Sequence, residues 1–342
     1  MANYKGIKGY KVQSRASDPT ANEGQIWYNT TSNVLKYDTV SAGAWASGGD
    51  MSTGRQTCAG AGQSSSAGLV MGGTAPPSPA IMSSAEKYNG TAWANTGSMI
   101  NQRRYFTGLG TQTAAIAAGG IRGPTPGEAP TSKTELFNGS TWSELPTLAR
   151  TPSTSPQAQT RMGGFGNSTS AIVVGGDESA SQLALCEQFN GTSWAEVADL
   201  SQTQSYGFSS GQTGASGMFM GGWEWPSPGG QIGKSGEWND TSWTATPSMN
   251  TARDSGGFSC YGTVTQAMIV AGRGPPTNLT VCEIYNGTTW TEVANCSTGR
   301  YYCSGSGTGT SALVMGGYAI PALVATEEWD GAPAVVKTVT VS

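Results

Sequence analysis

The chain has 342 residues, of which 50 are Gly, 12% are charged and none is His; its net charge is −4 and its pI about 5.0. Without histidine there is no His general acid or base, no Ser-His-Asp or Cys-His nucleophile pair and no His-ligated metal. The weak acidic balance offers no basic stripe to a phosphate backbone, and no run reaches the ~18 apolar residues that cross a bilayer, so neither nucleic acid nor membrane insertion is expected.

Residues 1–6 lack the apolar core of a secretory signal, which predicts folding in a cytoplasm. Residues 14–23 are polar and loop-like. Residues 24–38 read as a hairpin, with an apolar strand around Ile26-Trp27-Tyr28, a polar turn, and a second strand around Val34-Leu35. Two roles compete for the segment that follows. Residues 37–45 supply outer strands that close a ring, or residues 1–50 form an arm that anchors the rest to a larger assembly. Residues 333–341, rich in Val and Thr, suit a strand that completes the last repeat by itself, which favours the arm.

From residue 51 onward the chain repeats itself. Tyr88-Asn89-Gly90 leads to Trp93, Phe137-Asn138-Gly139 to Trp142, Phe189-Asn190-Gly191 to Trp194, Trp238-Asn239-Asp240 to Trp243, and Tyr285-Asn286-Gly287 to Trp290, with Trp spacings of 49, 52, 49 and 47. Each set trails a small-residue pair: Gly72-Gly73, Gly119-Gly120, Gly175-Gly176, Gly221-Gly222, Ala271-Gly272 and Gly316-Gly317. A period of this length is one supersecondary unit stacked on its copies. Within residues 249–295 a Gly-rich strand (256–261), an apolar run (265–270), a third strand (280–285) and a fourth (289–293) follow one another, and Asn286-Gly287 predicts a type I′ turn with both central residues at positive φ. Four antiparallel strands per repeat is a propeller blade. The expected fold is therefore all-β: a six-bladed β-propeller over residues 51–342 with blades at 51–98, 99–147, 148–199, 200–248, 249–295 and 296–342, preceded by the N-terminal β-hairpin arm of residues 1–50.

The recurrent Gly-Gly, aromatic-Asn turn and Trp resemble the kelch repeat of β-propellers. Phrases such as Asn250-Thr251-Ala252-Arg253 and Tyr285-Asn286-Gly287-Thr288-Thr289-Trp290 resemble, more narrowly, kelch-like proteins of tailed bacteriophages, marine cyanophages especially. The hairpin at 24–38 resembles those of phage tail-fibre and appendage proteins. The Gly-His dipeptide of WD-repeat propellers is missing, and Trp-Asp occurs once, at Trp329-Asp330, rather than in every repeat. The resemblance implies a virion component made in the host cytoplasm and present in multiple copies per particle.

Most repeats carry an Arg before the first strand (Arg55, Arg103 or Arg104, Arg253, Arg300, with Arg161 or Arg150 in the third) and a Glu two residues before the aromatic (Glu86, Glu135, Glu187, Glu283, Glu327). The fourth repeat departs from both rules, with Thr203 or Gln204 and Gly236 at those positions. Joint loss points to structural Arg–Glu pairs. The functional alternative is a ring of arginines (Arg55, Arg103, Arg253, Arg300) near one channel mouth, which the kelch resemblance associates with acidic partners. The loops after Gly-Gly vary in length and sequence, and Trp223, Glu224 and Trp225 stand out there as a candidate sugar- or protein-binding surface. Asn-Gly-Thr triplets match a glycosylation pattern, but their fixed hairpin position is explained by turn geometry. Cys186 and Cys282 share a repeat position and read as small buried free thiols.

These features favour a non-enzymatic virion protein, a tail fibre or appendage whose loops recognise a host-surface glycan or protein, with other virion proteins bound through the arm and no cofactor or metal. The alternatives are a structural capsid or tail decoration or adaptor, and a glycan-degrading enzyme using two of Asp177, Glu178, Glu224 and Asp254.

Overall fold

The computed structural model describes residues 12–17, 26–40, 43–75, 80–123, 129–149, 160–178, 181–224, 230–255, 257–275, 278–318, 322–331 and 334–338, with backbone alone at 37–40, 257–260 and 334–338. Among these residues the regular structure is entirely β. Contacts divide the chain into two units, Trp45–Asp330 and a second formed by Met1–Ala44 with Gly331–Ser342.

In the larger unit one strand pattern recurs, set by sequence. The first strand of each sheet is made of small residues, as in Ala59–Gly62 (AGAG), Gly163–Gly166 (GGFG) and Ser304–Thr308 (SGSGT). The first strands lie side by side: Ala59–Gly62 against both Thr107–Thr111 and Ser304–Thr308, Gly163–Gly166 against Thr107–Thr111 and Phe208–Thr213, and Gly257–Cys260 pairing in parallel with its neighbours on both sides. Crowding explains the composition: a Cβ on Gly60 would stand 2.4 Å from Ser304 Oγ and 2.7 Å from the Gly305 carbonyl. The second strands, among them Gly68–Met71 and Ala171–Val174, are buried on both faces, as their continuous apolar runs require. Third and fourth strands pair antiparallel, in the order 59–62, 68–71, 85–88, 93–96 and its equivalents. This is a β-propeller-type architecture.

The fourth strand begins with the recurrent Trp, which sits opposite the aromatic of the third. Tyr88–Trp93, Phe137–Trp142, Phe189–Trp194, Trp238–Trp243 and Tyr285–Trp290 stack at centroid distances of 5.0, 5.0, 5.1, 5.4 and 5.1 Å. The last sheet has the same pair, Trp329 with Trp45 at 5.4 Å, but here the partner comes from the opposite end of the sequence. The strand Ala44–Ser47 flanks Thr326–Asp330, and Trp45 donates its indole N–H to the Ala294 carbonyl at 2.9 Å. The expectation that residues 333–341 complete this sheet is corrected: Ala334–Thr338 pairs antiparallel with Val34–Val40. The unit therefore runs from Trp45 to Asp330 rather than from 51 to 342.

In the smaller unit Ile26–Asn29 and Val34–Val40 form the hairpin expected there, with Gln13–Arg15 parallel to the first and Ala334–Thr338 beside the second. Asn29 Oδ1 accepts the Thr31 and Ser32 N–H groups at 3.0 and 2.9 Å and fixes the turn.

The Asn-Gly turns also differ from expectation. Tyr88 pairs with Trp93, so the loop has four residues, and only Gly90 takes positive φ (88°); its equivalents are Gly139, Gly191, Asp240 and Gly287. The Asn89 side chain accepts the N–H groups of Thr91 (3.0 Å) and Ala92 (2.9 Å), which replaces the second positive-φ residue of a type I′ turn. The glycine pairs divide their labour. The first member lies near φ 60°, which Ala271 also adopts (57°), whereas the second lies at 93° in Gly73 and 104° in Gly272. A Cβ on Gly73 would also stand 2.5 Å from the Gln56 carbonyl. Gly73→Ala is expected to cost upwards of about 2 kcal/mol in urea unfolding, since a strained φ and a backbone clash add. A cost within experimental error would contradict this account of the pair.

Candidate functional site

The four arginines expected to ring a channel mouth are buried, between 0 and 1% exposed. Arg55 meets Glu86 at 2.6 Å, Arg253 meets Glu283 at 2.5 Å, Arg300 meets Glu327 at 2.5 Å, and Arg103 pairs with Glu135. The second guanidinium nitrogen spans two carbonyls, those of Gly72 (3.1 Å) and Ser84 (3.0 Å) for Arg55, and of Gly119 (3.1 Å) and Lys133 (2.9 Å) for Arg103. The Glu carboxylate also accepts a main-chain N–H from the preceding turn, Ser52 at 2.8 Å for Glu86 and Asn250 at 2.7 Å for Glu283. Each pair thus ties a turn, a Gly-Gly corner and the third strand together. This corrects the functional reading of Arg55, Arg103, Arg253 and Arg300: their heads are committed to the frame and closed to a ligand. Burial pulls Arg103 and Arg253 below the ordinary arginine value, and their glutamates oppose it.

Arg161 is not the third member of that set. It stands two residues further along its repeat, at a position held elsewhere by Thr57, Tyr105, Tyr206, Ser255 and Tyr302. All six are non-glycine residues in the left-handed region, with φ of 58° for Arg161, 54° for Thr57, 52° for Tyr105, 57° for Tyr206, 60° for Ser255 and 52° for Tyr302. Their main chains bond head to tail: Tyr105 N to Thr57 O (3.1 Å), Arg161 N to Tyr105 O (2.9 Å), Tyr206 N to Arg161 O (3.0 Å), Tyr302 N to Ser255 O (2.8 Å) and Thr57 N to Tyr302 O (3.0 Å). Strained non-glycine residues persist where the surroundings over-determine them, and they concentrate at functional sites.

The side chains of this set line a small depression of about 40 Å³. The Arg161 guanidinium lies 4.9 Å from the ring centroids of both Tyr105 and Tyr206 and forms an ion pair with Asp177 at 2.8 Å. Tyr302 packs edge-on against Tyr105 at 5.4 Å and lies 6.1 Å from Tyr206; Tyr301 adds a ring 4.7 Å from Tyr302. Burial pushes the Tyr105 phenol up to about 12, and Tyr206 higher still for the same reason. Burial alone would pull Arg161 down, but Tyr206 and Asp177 hold it above its ordinary value. At neutral pH the depression therefore presents a guanidinium, phenol donors and aromatic faces.

The raised phenols carry a pH consequence. Their protonated form is retained on folding, so the associated stability is complete below the ordinary tyrosine value of 10.0 and is lost as pH climbs through about 12. Tyrosinate absorbance should show late-titrating phenols that Tyr206→Phe reduces in number, with unfolding setting in across that window. Titration of every tyrosine near pH 10 with the fold intact would contradict the burial argument.

Trp223–Glu224 forms a short strand against Gly230–Gln231, and Ser205, next to Tyr206, bridges to Trp223. The Arg273 guanidinium lies 5.5 Å from the Trp223 ring and binds both oxygens of buried Asp254 at 3.0 Å. Glu224 pairs with Lys234 at 2.9 Å. Trp225 lies outside the described residues. The sequence brought Trp223 and Glu224 to notice; it did not bring the left-handed set, because its six members are of four residue types and only their offset from the repeated Arg is constant. Cys58, Cys186, Cys282, Cys296 and Cys303 are buried free thiols, and burial raises Cys58, Cys186 and Cys303 to about 12. Among the described residues no three of Cys, Asp and Glu gather as a metal site.

The chain matches no family model and no curated protein. Among solved structures it is similar to one titled "Structure of YjhT", with a TM-score of 0.63 and 13% identity over 86% of this chain and 97% of that one. At this identity the likeness is one of fold, and the fold is a β-propeller.

Proposed function

We propose that the chain is a six-bladed kelch-type propeller acting as a non-catalytic recognition module of a tailed-phage particle, with a host-surface glycan bound at the axial mouth. The observation that carries this reading is the Arg161 guanidinium held between Tyr105 and Tyr206, above Asp177, on residues strained into the left-handed region. Aromatic faces suit the C–H faces of a sugar ring, and the phenols and Arg161 suit its hydroxyls and any carboxylate. Six copies of the repeat, with the head-to-tail bonds of the left-handed set and Trp45 in the last sheet, support a closed ring, which removes free sheet edges. The non-catalytic reading is supported by the carboxylates: Asp177, Asp254 and Glu224 are each held by a cation. The particle assignment rests on the repeat phrases, and multiple copies would add avidity to a weak single site. The unit containing residues 26–40 would be the attachment to other virion proteins.

Immunogold electron microscopy of source particles with an antibody to this chain tests the assignment. Label at distal tail appendages is the expected result. Label over the capsid, or on no particle, would overturn it.

A further inference from the structure

The fourth sheet lacks the Arg–Glu pair, and what it offers instead is a site. In five repeats the third-strand glutamate receives a main-chain N–H from the preceding turn: Ser52 for Glu86 (2.8 Å), Ile100 for Glu135 (2.7 Å), Ala149 for Glu187 (2.5 Å), Asn250 for Glu283 (2.7 Å) and Ser297 for Glu327 (2.6 Å). In two of them the next N–H, that of Asn101 or Thr251, binds the same carboxylate at 3.2 and 3.1 Å. The equivalent donors in the fourth repeat are Ser201 and Gln202. The turn is built as elsewhere, with Leu200 N on Ala184 O at 2.8 Å as Met99 N is on Ser83 O at 2.9 Å. Gly236 occupies the glutamate's register, between Phe219 and Ala245, and among the described residues neither main-chain N–H finds an acceptor. Glu237 belongs to the opposite face of its strand.

Space is available for the absent group. A cavity of about 400 Å³, open to solvent, is lined by Ser201, Gln202, Gln204, Phe219, Gly236 and Trp243. A Cβ on Gly236 would meet nothing closer than Trp243 Cε3 at 3.5 Å and the Thr244 carbonyl at 3.6 Å. Gln204 replaces the arginine and donates to the Gly221 carbonyl, so no guanidinium fills the slot. Phe219 and Trp243 supply apolar walls for an aliphatic stem. At the rim Lys234 Nζ binds Gln202 and both carboxylate oxygens of Glu224, so the opening is flanked by a closed ion pair.

We propose that this slot in the fourth sheet binds an external carboxylate on a short aliphatic stem, which takes the place of the repeat's missing glutamate side chain. Two main-chain donors fix the carboxylate. Its source is an acidic side chain of another polypeptide or a small free acid, and the two present the same chemistry. This site is separate from the axial mouth and stands or falls independently of it.

Propionate, which reproduces a glutamate side chain from Cβ outward, is the probe, with propionamide as the uncharged control. Titration of the isotope-labelled full chain by amide NMR is expected to give saturable shifts at Ser201 and Gln202 with propionate and at least tenfold weaker binding with propionamide. Gly236→Glu, which supplies the carboxylate internally, and Gly236→Met, which fills the slot without charge, should both abolish the response. A peptide with capped ends and one Glu that reproduces the shifts would mark a polypeptide as the source; response to propionate alone would mark a small acid. No saturable shift at those amides, or a response in either Gly236 variant as strong as that of the parent chain, would overturn the proposal.

Discussion

Replacing Glu283 by Ala is expected to lower the folding stability of this chain by about 3–5 kcal/mol, the cost of leaving one member of a buried ion pair alone. The Arg253 guanidinium would remain at 0% exposure with its carbonyl contacts to Ala271 (3.1 Å) and Val281 (2.5 Å) but without a counter-charge. The N–H groups of Asn250 and Thr251 would also lose their acceptor, a further unsatisfied pair at the turn. The fourth sheet shows what the frame tolerates when both charges go together, with Gln204 keeping one of the arginine's carbonyl contacts and Gly236 removing the carboxylate. The double variant Arg253→Gln with Glu283→Gly should therefore cost clearly less than the two single changes summed, with a coupling of about 1–3 kcal/mol in a urea-unfolding cycle. A single Glu283→Ala cost below about 1 kcal/mol, or strict additivity, would remove the arginines from the list of frame-holding groups.

Arg161→Met has a different profile. Arg161 is partly exposed, with a side-chain exposure of 29%, but Asp177 is buried and would lose its partner, so stability should fall by about 1–3 kcal/mol, less than for Glu283→Ala. Binding should suffer as well. Hydrogen bonds to a charged group contribute about 1.5–3 kcal/mol, which corresponds to roughly a tenfold to hundredfold loss in affinity for a ligand that uses the guanidinium. Tyr206→Phe should cost less than Tyr206→Ala, because the first removes a donor and the second also removes an aromatic face and the packing that aims Arg161. Trp223→Ala, at the rim beneath Arg273, is expected to have a smaller effect than either. Equal affinities for Arg161→Met and the parent chain would move recognition away from the axis.

The frame was legible because its repeated residues answer to local physics. Small residues mark where first strands crowd, the Trp marks where an outer strand needs a large ring opposite an aromatic, and the joint absence of Arg and Glu at Gln204 and Gly236 pointed to pairing. The end of the frame was harder, since residues 334–338 and 44–47 both have acceptable strand composition. The discriminating signal was present: residues 331–342 contain no Trp to face Trp329, so the partner had to be Trp45. The turns were misread because Asn-Gly satisfies two geometries, and the choice depends on whether the Asn side chain or a second left-handed residue closes the loop. The left-handed set was illegible for a different reason. Its constant property is a backbone angle, and its side chains, free of the packing that enforces repetition, vary from Thr57 to Tyr105 to Arg161.

The most direct test of the central claim is a glycan-array comparison of the purified chain with its Arg161→Met and Glu283→Ala variants. The account predicts selective binding by the parent chain, loss of that binding in Arg161→Met at a temperature where the variant remains folded, and retained selectivity in whatever fraction of Glu283→Ala remains folded. Binding that survives Arg161→Met, or a parent chain that retains no glycan, would contradict recognition at the axial mouth.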